Sequence, residues 1–186
     1  MRWADTGLAW RATSPFIQSL DAAYGYPMTG LGCWPFNGFV HGVGSAYPFR
    51  LLQYAGRTPE QLQAALIAEH IAGLDFRIVS IQQPGGKVVR GVFVYITDWN
   101  AWRPTQLAFR LLRLSARFAK ESGRPNPYAG APSDEALLFN KHTGSQELWS
   151  ALVRDGGNAD VEGLYARWTQ ADAQFQERSR KFWIYR

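Results

Sequence analysis

The sequence contains very little cysteine and histidine. Cys33 is the only cysteine among 186 residues, so no internal disulfide can form. The three histidines, His41, His70 and His142, stand far apart and in no metal-ligand spacing with each other. We therefore predict no metal site, and no motif in the chain calls for a cofactor.

Long apolar runs are also missing. No stretch reaches the roughly 18 apolar residues that a membrane-spanning helix needs, so we predict no membrane span. Residues 1–5, MRWAD, do not begin the apolar stretch of a secretory signal peptide. The mature part of an exported protein would look the same, so the compartment stays open.

Carboxylates are scarce in the first third of the chain. Asp5 and Asp21 are the only two before Glu60. Enzymatic glycoside hydrolysis ordinarily needs a pair of carboxylates that meet in space. Phosphate-loop and nucleophile-elbow patterns are absent as well. We therefore predict no catalytic residue and expect this chain alone to be inactive.

What the sequence does contain is aromatic side chains and a mild basic excess. Aromatic residues make up 15% of the chain, with eight tryptophans, and the net charge is +5. The proportions of apolar and charged residues are those of a globular protein, and the length fits a single domain over residues 1–186. The charge favours acidic partners such as cell-wall polymers, but it is too modest, without a recognition motif, to predict nucleic-acid binding.

Local patterns predict an α+β fold. Apolar periodicity and capping signals predict helices at residues 58–73, 104–122, 145–154 and 160–180. Apolar runs on both sides of Pro84 predict a hairpin at about 75–97, and its second strand, apolar on both faces, should be central and covered on both sides. Residues 1–57 and 123–134 are rich in glycine and proline and predict loops with short strands. We expect a small mixed or antiparallel sheet packed by several helices.

Two helix faces carry specific expectations. The helix at 104–122 has a cationic stripe of Arg110, Arg113, Arg117 and Lys120. A solvated face with snorkelling side chains is favoured there over an anion-binding face. The last helix has an apolar stripe of Leu164, Trp168, Ala171 and Phe175, which we predict to be buried.

The segment at 32–50, GCWPFNGFVHGVGSAYPFR, combines four glycines with five large aromatic residues. Glycines allow close backbone approach, and an aromatic face suits the C–H face of a sugar. Trp34 is a candidate for stacking on a sugar, His41 for bonding a hydroxyl or carboxylate, and Arg50 for pairing with a carboxylate. The alternatives are burial for Trp34, a backbone contact for His41 and a local aspartate for Arg50.

Landmarks along the chain resemble a known family. They are WRATSP at 10–15, YP at 26–27, PF at 48–49, GVFVYITDWNAWRP at 91–104, FNKHTGSQEL at 139–148 and the closing RSRKFWIYR. In this order they resemble the C-terminal half of the NamZ-type exo-β-N-acetylmuramidases. Those two-domain enzymes remove N-acetylmuramic acid from the non-reducing end of peptidoglycan fragments. The resemblance covers essentially the whole chain.

The resemblance implies a partner and an altered loop. The N-terminal Rossmann-like half, which the family uses for carboxylate chemistry, is expected to be supplied by another domain or a separate chain, unless this protein retains only the second half. The family's loop usually carries an acidic-Gly-Thr-Asn element and then Glu-Gly-Arg-Gly-Thr. Here the later element reads HGVGS at 41–45, Arg50 stands where a glutamate is expected, and Asn37 remains from the earlier element. Asn37, His41 and Arg50 are thus the polar candidates for contact with a sugar.

We therefore expect an accessory domain that forms one wall of a muramidase-like substrate cleft. The expected ligand is a peptidoglycan-derived sugar or muropeptide, and the compartment is periplasmic or extracellular if the protein follows the family. The alternatives are a stand-alone module that binds cell-wall fragments and an interaction protein in which the loop only packs.

Overall fold

The computed structural model describes residues 6–82 and 85–183. Helices in this part of the chain are α1 (Leu20–Gly25), α2 (Pro59–Ile67), α3 (Gln106–Glu121), α4 (Ser133–Thr143), α5 (Gln146–Asp155) and α6 (Val161–Ser179). Helix α1 continues into a π-helical turn at Tyr26–Gly30, and single 3-10 turns follow α5 and α6. The strands are β1 (Phe39–Val40), β2 (Leu51–Tyr54), β3 (Leu74–Gln82) and β4 (Val88–Ile96). The fold is α+β, as the sequence predicts.

The four strands form one antiparallel sheet in the order β1-β2-β4-β3. β3 and β4 form the predicted hairpin, in register from Leu74 opposite Ile96 to Gln82 opposite Val88. β4 also pairs with β2, so it is the inner strand that its apolar pattern predicts. Pro84, in the predicted turn, lies outside the described residues.

One core lies between the sheet and helices α2 and α3. The predicted stripe of α3, Leu107, Leu111, Leu114 and Phe118, is buried there. From the sheet, Val92 and Val94 face this core. A capping box of Thr58 and Gln61 starts α2 as predicted, but the helix ends at Ile67, six residues earlier than expected.

A second core lies on the opposite side of α3, among α4, α5 and the start of α6. Its largest buried side chains include Trp34, Tyr128, Phe139 and Leu148. The sequence pattern misses α4 because only Phe139 of this helix is buried, which leaves no apolar stripe to detect. Burial on both sides makes α3 the central helix of the molecule.

Helix α1 and its π-helical extension are likewise missed, because Gly25, Pro27 and Gly30 are poor helix formers. Ser19 caps the start by accepting a hydrogen bond from the Ala22 backbone amide. Gly25 is required by tertiary packing, since a Cβ there would lie 2.5 Å from the carbonyl oxygen of Phe49.

The apolar stripe of α6 is buried only in its first half, so the prediction for its second half is wrong. Leu164 is buried and Trp168 contacts Phe109 of α3, but Ala171 is exposed and Phe175 is 64% exposed. The stripe continues in the sequence beyond the point where α3 lies beneath it. Among the described helices, none has both the length and the apolar character needed to cross a membrane.

Candidate functional site

The segment at 41–50 crosses the face of the sheet that points away from α3. Gly42 lies against this sheet, where a Cβ would meet the Cβ of Leu51 at 2.8 Å. The ring of Tyr47 packs edge-on against Phe93 of β4 at 4.8 Å. The glycine-rich segment therefore covers the second face of the sheet. The sequence predicted that this face is covered but not which segment covers it.

A groove of about 460 Å³ opens beside this segment. Its lining residues are Ser14, Phe16, Ile17, Tyr26, His41, Val43 and Phe49. Three sequence landmarks thus meet at one place: Ser14 from WRATSP, Tyr26 from YP and Phe49 from PF. Phe16 and Val43 also line an adjoining hollow of about 360 Å³.

Phe49, which lines the groove, has an uncommon backbone conformation. Its φ is 60°, in the left-handed region that residues with a bulky side chain rarely adopt. The hydroxyl of Thr29 donates a 2.9 Å hydrogen bond to its carbonyl oxygen, and the ring of Tyr26 packs edge-on against its ring at 5.3 Å. Strain held by its surroundings in this way is typical of binding and catalytic sites.

His41 lies over Phe49, with ring centroids 4.8 Å apart. Its Nδ1 atom is buried and has no hydrogen-bond partner among the described residues. Burial lowers the pKa of this imidazole, so the ring is neutral near pH 7. A neutral imidazole has one nitrogen that donates a hydrogen bond and one that accepts, so His41 offers a polar group to an otherwise apolar wall.

Arg50 is 5% exposed and already has partners inside the protein. Its Nε donates a 2.8 Å hydrogen bond to the carbonyl oxygen of Val94, and Nη1 forms an ion pair with Asp21. The guanidinium lies 4.9 Å from the ring centre of Phe93. Burial lowers the pKa of Arg50, while Asp21 opposes that shift. The local aspartate that we weighed as an alternative partner is therefore present.

Asn37 and Trp34 lie in the second core. The side-chain oxygen of Asn37 accepts hydrogen bonds from the backbone amides of Trp34 and Phe39, and its nitrogen donates to Gly32. Trp34 is 5% exposed and donates from Nε1 to the carbonyl oxygen of Leu31. Among the four candidate residues, only His41 lines the groove, and substrate contact by any of them stays a prediction.

The cationic stripe of α3 surrounds a buried carboxylate. Glu69, which follows α2 and is 7% exposed, lies 2.5 Å from Arg113, 3.3 Å from Arg110 and 3.6 Å from Arg117. Arg110 and Arg113 also pair with Glu162 of α6. This internal ion network joins α3 and α6 to the turn that follows α2, so the three arginines differ from both interpretations of the stripe that the sequence suggested, whereas Lys120 is exposed.

Sequence reasoning missed the aromatic residues Phe16, Tyr26 and Phe49 as a shared wall. The signal was available, because each lies in or beside a family landmark. These landmarks are far apart in the sequence, and the fold brings them together at the groove.

Comparisons with known proteins give the family. The model of the family described as exo-β-N-acetylmuramidase NamZ, C-terminal, matches residues 24–185. The crystal structure of a DUF1343 family protein from Bacteroides fragilis has a similar fold, with a TM-score of 0.77 and 24% sequence identity. The similarity covers 100% of this chain and 48% of that one, so the chain spans about half the length of this relative. A search of curated proteins finds no match.

The family match includes the π-helical turn, the groove segment, the whole sheet and all the helices from α2 to α6. The structural similarity independently supports the same fold over the full chain. The chain therefore belongs to the family of C-terminal domains of NamZ exo-β-N-acetylmuramidases, a glycoside hydrolase family.

Proposed function

We propose that this chain is an accessory domain that forms one wall of the substrate cleft of a peptidoglycan exo-β-N-acetylmuramidase-like glycosidase. The observation that carries the proposal is the groove itself. A strained Phe49 supports a neutral His41 where three family landmarks meet. The contacting surface proposed for the sugar is formed by Phe16, Tyr26, His41 and Phe49.

The groove suits the neutral parts of an amino sugar. Aromatic faces pack against the C–H face of a pyranose ring, and the imidazole of His41 bonds a hydroxyl or an acetamido group. No cation is among its lining residues, and the nearby Arg50 is occupied by Asp21. We therefore assign the ring or the N-acetyl group to this wall and the lactyl carboxylate to another surface.

Catalysis is assigned to another domain or chain. Two carboxylates flank the scissile bond in most glycosidases, but no carboxylate is among the residues described as lining the groove. Asp21, which lies between the WRATSP and YP landmarks, is held by Arg50. A partner that carries the carboxylates would form the opposite wall of the cleft.

A chromogenic N-acetylmuramic acid glycoside tests this assignment. We expect the purified chain to give no turnover above the buffer rate. In the same preparation, muropeptides should shift the NMR signals of His41 and Phe49, and His41→Ala should weaken binding. His142→Ala, an exposed histidine on α4, is the matched control. Robust turnover by the lone chain contradicts an accessory role.

A stand-alone module that binds cell-wall fragments is the second candidate. It is favoured by one observation, namely that three separate segments of this chain, around Ser14, Tyr26 and residues 41–49, already form the groove together. Pull-down on insoluble peptidoglycan separates the two candidates. Tight retention that depends on His41 and needs no partner supports the module, whereas weak retention that rises when a catalytic half is added supports the accessory domain.

A further inference from the structure

A second aromatic surface lies at the turn that follows β4. Trp99 is 55% exposed, and its ring packs edge-on against Tyr24 at 5.0 Å and Trp102 at 5.4 Å. Tyr24, on α1, is 36% exposed and also contacts Trp102, at 6.3 Å. We call these three residues the Trp99 platform. It shares no residue with the groove at His41.

The backbone beneath Trp99 is fixed. The carboxylate of Asp98 accepts hydrogen bonds from the backbone amides of Asn100 and Ala101. The backbone carbonyl oxygen of Asp98 accepts a third, from the amide of Trp102, at 2.9 Å. Arg103 donates from Nη1 to the carbonyl oxygens of Asn100 and Trp102. Asp98 and Arg103 therefore hold the backbone of this turn, and with it Trp99, in one place.

The same turn is anchored to the body of the protein. The amides of Thr97 and Asp98 both donate to the carbonyl oxygen of Gly73. A Cβ at Gly73 would lie 2.6 Å from the Asp98 carbonyl oxygen and 2.7 Å from the Trp102 nitrogen, so only glycine allows this approach. Trp102 packs against the first core. Trp99 is thus an exposed indole on a rigid support, which lowers the entropy cost of binding a ligand.

We propose that the Trp99 platform is a second carbohydrate-binding site, which stacks a neutral N-acetylated hexose on the indole of Trp99. An exposed indole presents a flat apolar face, and the neighbouring Asn100 and Arg103 are exposed and polar. This pairing of a flat apolar face with a polar rim matches a pyranose, which has C–H bonds on its faces and hydroxyls at its edge.

The size of the platform favours a sugar over a protein partner. The exposed parts of three aromatic side chains amount to roughly 200–300 Å², given that each offers about 150–250 Å² in total. A stable protein interface needs about 800 Å² from each side. One sugar ring needs no more surface than this platform provides.

The platform lies within reach of the groove. Tyr24 belongs to the platform and Tyr26 to the groove, and two residues of chain separate their Cα atoms by at most about 7 Å. Residues two apart on a helix point to different sides, so a single sugar ring cannot contact both the platform and the groove. An oligosaccharide can. That the natural ligand is a peptidoglycan chain rests on the proposed function, whereas stacking on Trp99 rests on the geometry of the platform.

A ¹H–¹⁵N titration with a tetramer of N-acetylglucosamine tests the platform in the intact chain. The eight indole N–H signals are assigned with single Trp→Phe variants. We expect the signals of Trp99 and Trp102 to shift. Trp99→Ala should weaken binding by roughly two- to tenfold, as the loss of one aromatic contact predicts, and Trp99→Phe should keep most of the affinity. Trp183→Ala is the matched control, since that tryptophan is 45% exposed on another element.

The outcomes separate this proposal from the proposed function. Shifts of the Trp99 and Trp102 signals in the unaltered chain, together with weaker binding by Trp99→Ala at an unchanged circular dichroism spectrum, support the platform whether or not His41 responds. Shifts confined to His41 and Phe49 overturn the platform and leave the proposed function standing. Equal affinities of Trp99→Ala and Trp183→Ala, or no shift of either indole at saturating tetramer, also overturn it.

Discussion

His41 has a buried ring nitrogen, Nδ1, without a hydrogen-bond partner among the described residues. The protonation of this ring has consequences for folding stability. Burial holds its pKa below the ordinary value of 6.5, and interaction with its own backbone opposes this shift only in part. No charged residue is among those described as lining the groove. In the unfolded chain the same imidazole binds a proton near its ordinary pKa. Between these two values the unfolded state therefore carries one more proton than the folded state.

This difference gives a pH prediction. The contribution of His41 to the free energy of unfolding should be fully present above about pH 6.5 and decline as the pH falls toward the folded-state pKa. Urea unfolding from pH 5 to 8 measures it. We expect His41→Gln to be less sensitive to pH across that window than the unaltered chain, with His142→Gln as the control. Equal pH slopes for His41→Gln and the unaltered chain would count against a buried, neutral imidazole.

At the scale of elements, α3, α6 and the turn that follows α2 are joined through charge as well as through apolar contacts. Glu69 lies at the centre, nearly inaccessible to water, with three arginines of α3 around it. Removal of one member of a buried ion group leaves the others desolvated and, here, mutually repulsive. The arginines are partly exposed, which moderates the penalty.

Glu69→Ala should therefore lower the free energy of unfolding by about 3 kcal/mol, at the lower end of the range for broken buried pairs. Glu147→Ala breaks a surface pair with Arg167, in which both side chains are more than half exposed, and it should cost no more than about 1 kcal/mol. Chemical denaturation of both variants provides the comparison. Equal losses in the two would show that the network around Glu69 adds nothing beyond a surface pair.

Local signals predicted most of these elements. Three of these signals each lie within a short stretch of sequence. They are the capping box at Thr58, the apolar stripe from Leu107 to Phe118, and the strand β4, which is apolar on both faces. Helix α1 could not be predicted, because Gly25 is chosen by its contact with Phe49 and not by helix propensity. Contacts of this kind, between residues far apart in sequence, also account for the missed environments of Glu69 and Arg50.

The groove was predicted only in part for the same reason. The sequence placed the candidate contacts in the segment at 32–50, and of these candidates His41 lines the groove. Trp34 and Asn37 lie four to seven residues earlier, yet they point into the second core, because the chain turns at Asn37 before β1 begins. Distance along the chain therefore gave the neighbourhood of the site but not the direction of each side chain.

At the scale of the whole molecule, the two cores share α3. Leu107, Leu111 and Leu114 belong to one core, whereas Phe109, Leu112 and Ala116 belong to the other. Neither core can lose its packing without exposing one side of this helix. We therefore keep residues 1–186 as one proposed domain with one unfolding transition.

Far-ultraviolet circular dichroism and tryptophan fluorescence measure this cooperativity. Circular dichroism follows the helices as a whole, while tryptophans in both cores contribute to the fluorescence. The two curves should coincide in urea, as expected for a two-state domain. Separate midpoints, with one core melting before the other, would divide the chain into two units and contradict the single-domain proposal.

The cover over the outer face of the sheet has a consequence for how binding specificity changes during evolution. Gly42 makes its contact with Leu51 through backbone, whereas a Cβ at Gly44 would meet no atom within 4 Å. Substitutions at Val43, which lines the groove, therefore alter what the groove presents without disturbing the sheet beneath. New ligand preferences are accessible here at small cost in folding stability, provided that the glycine at 42 is kept.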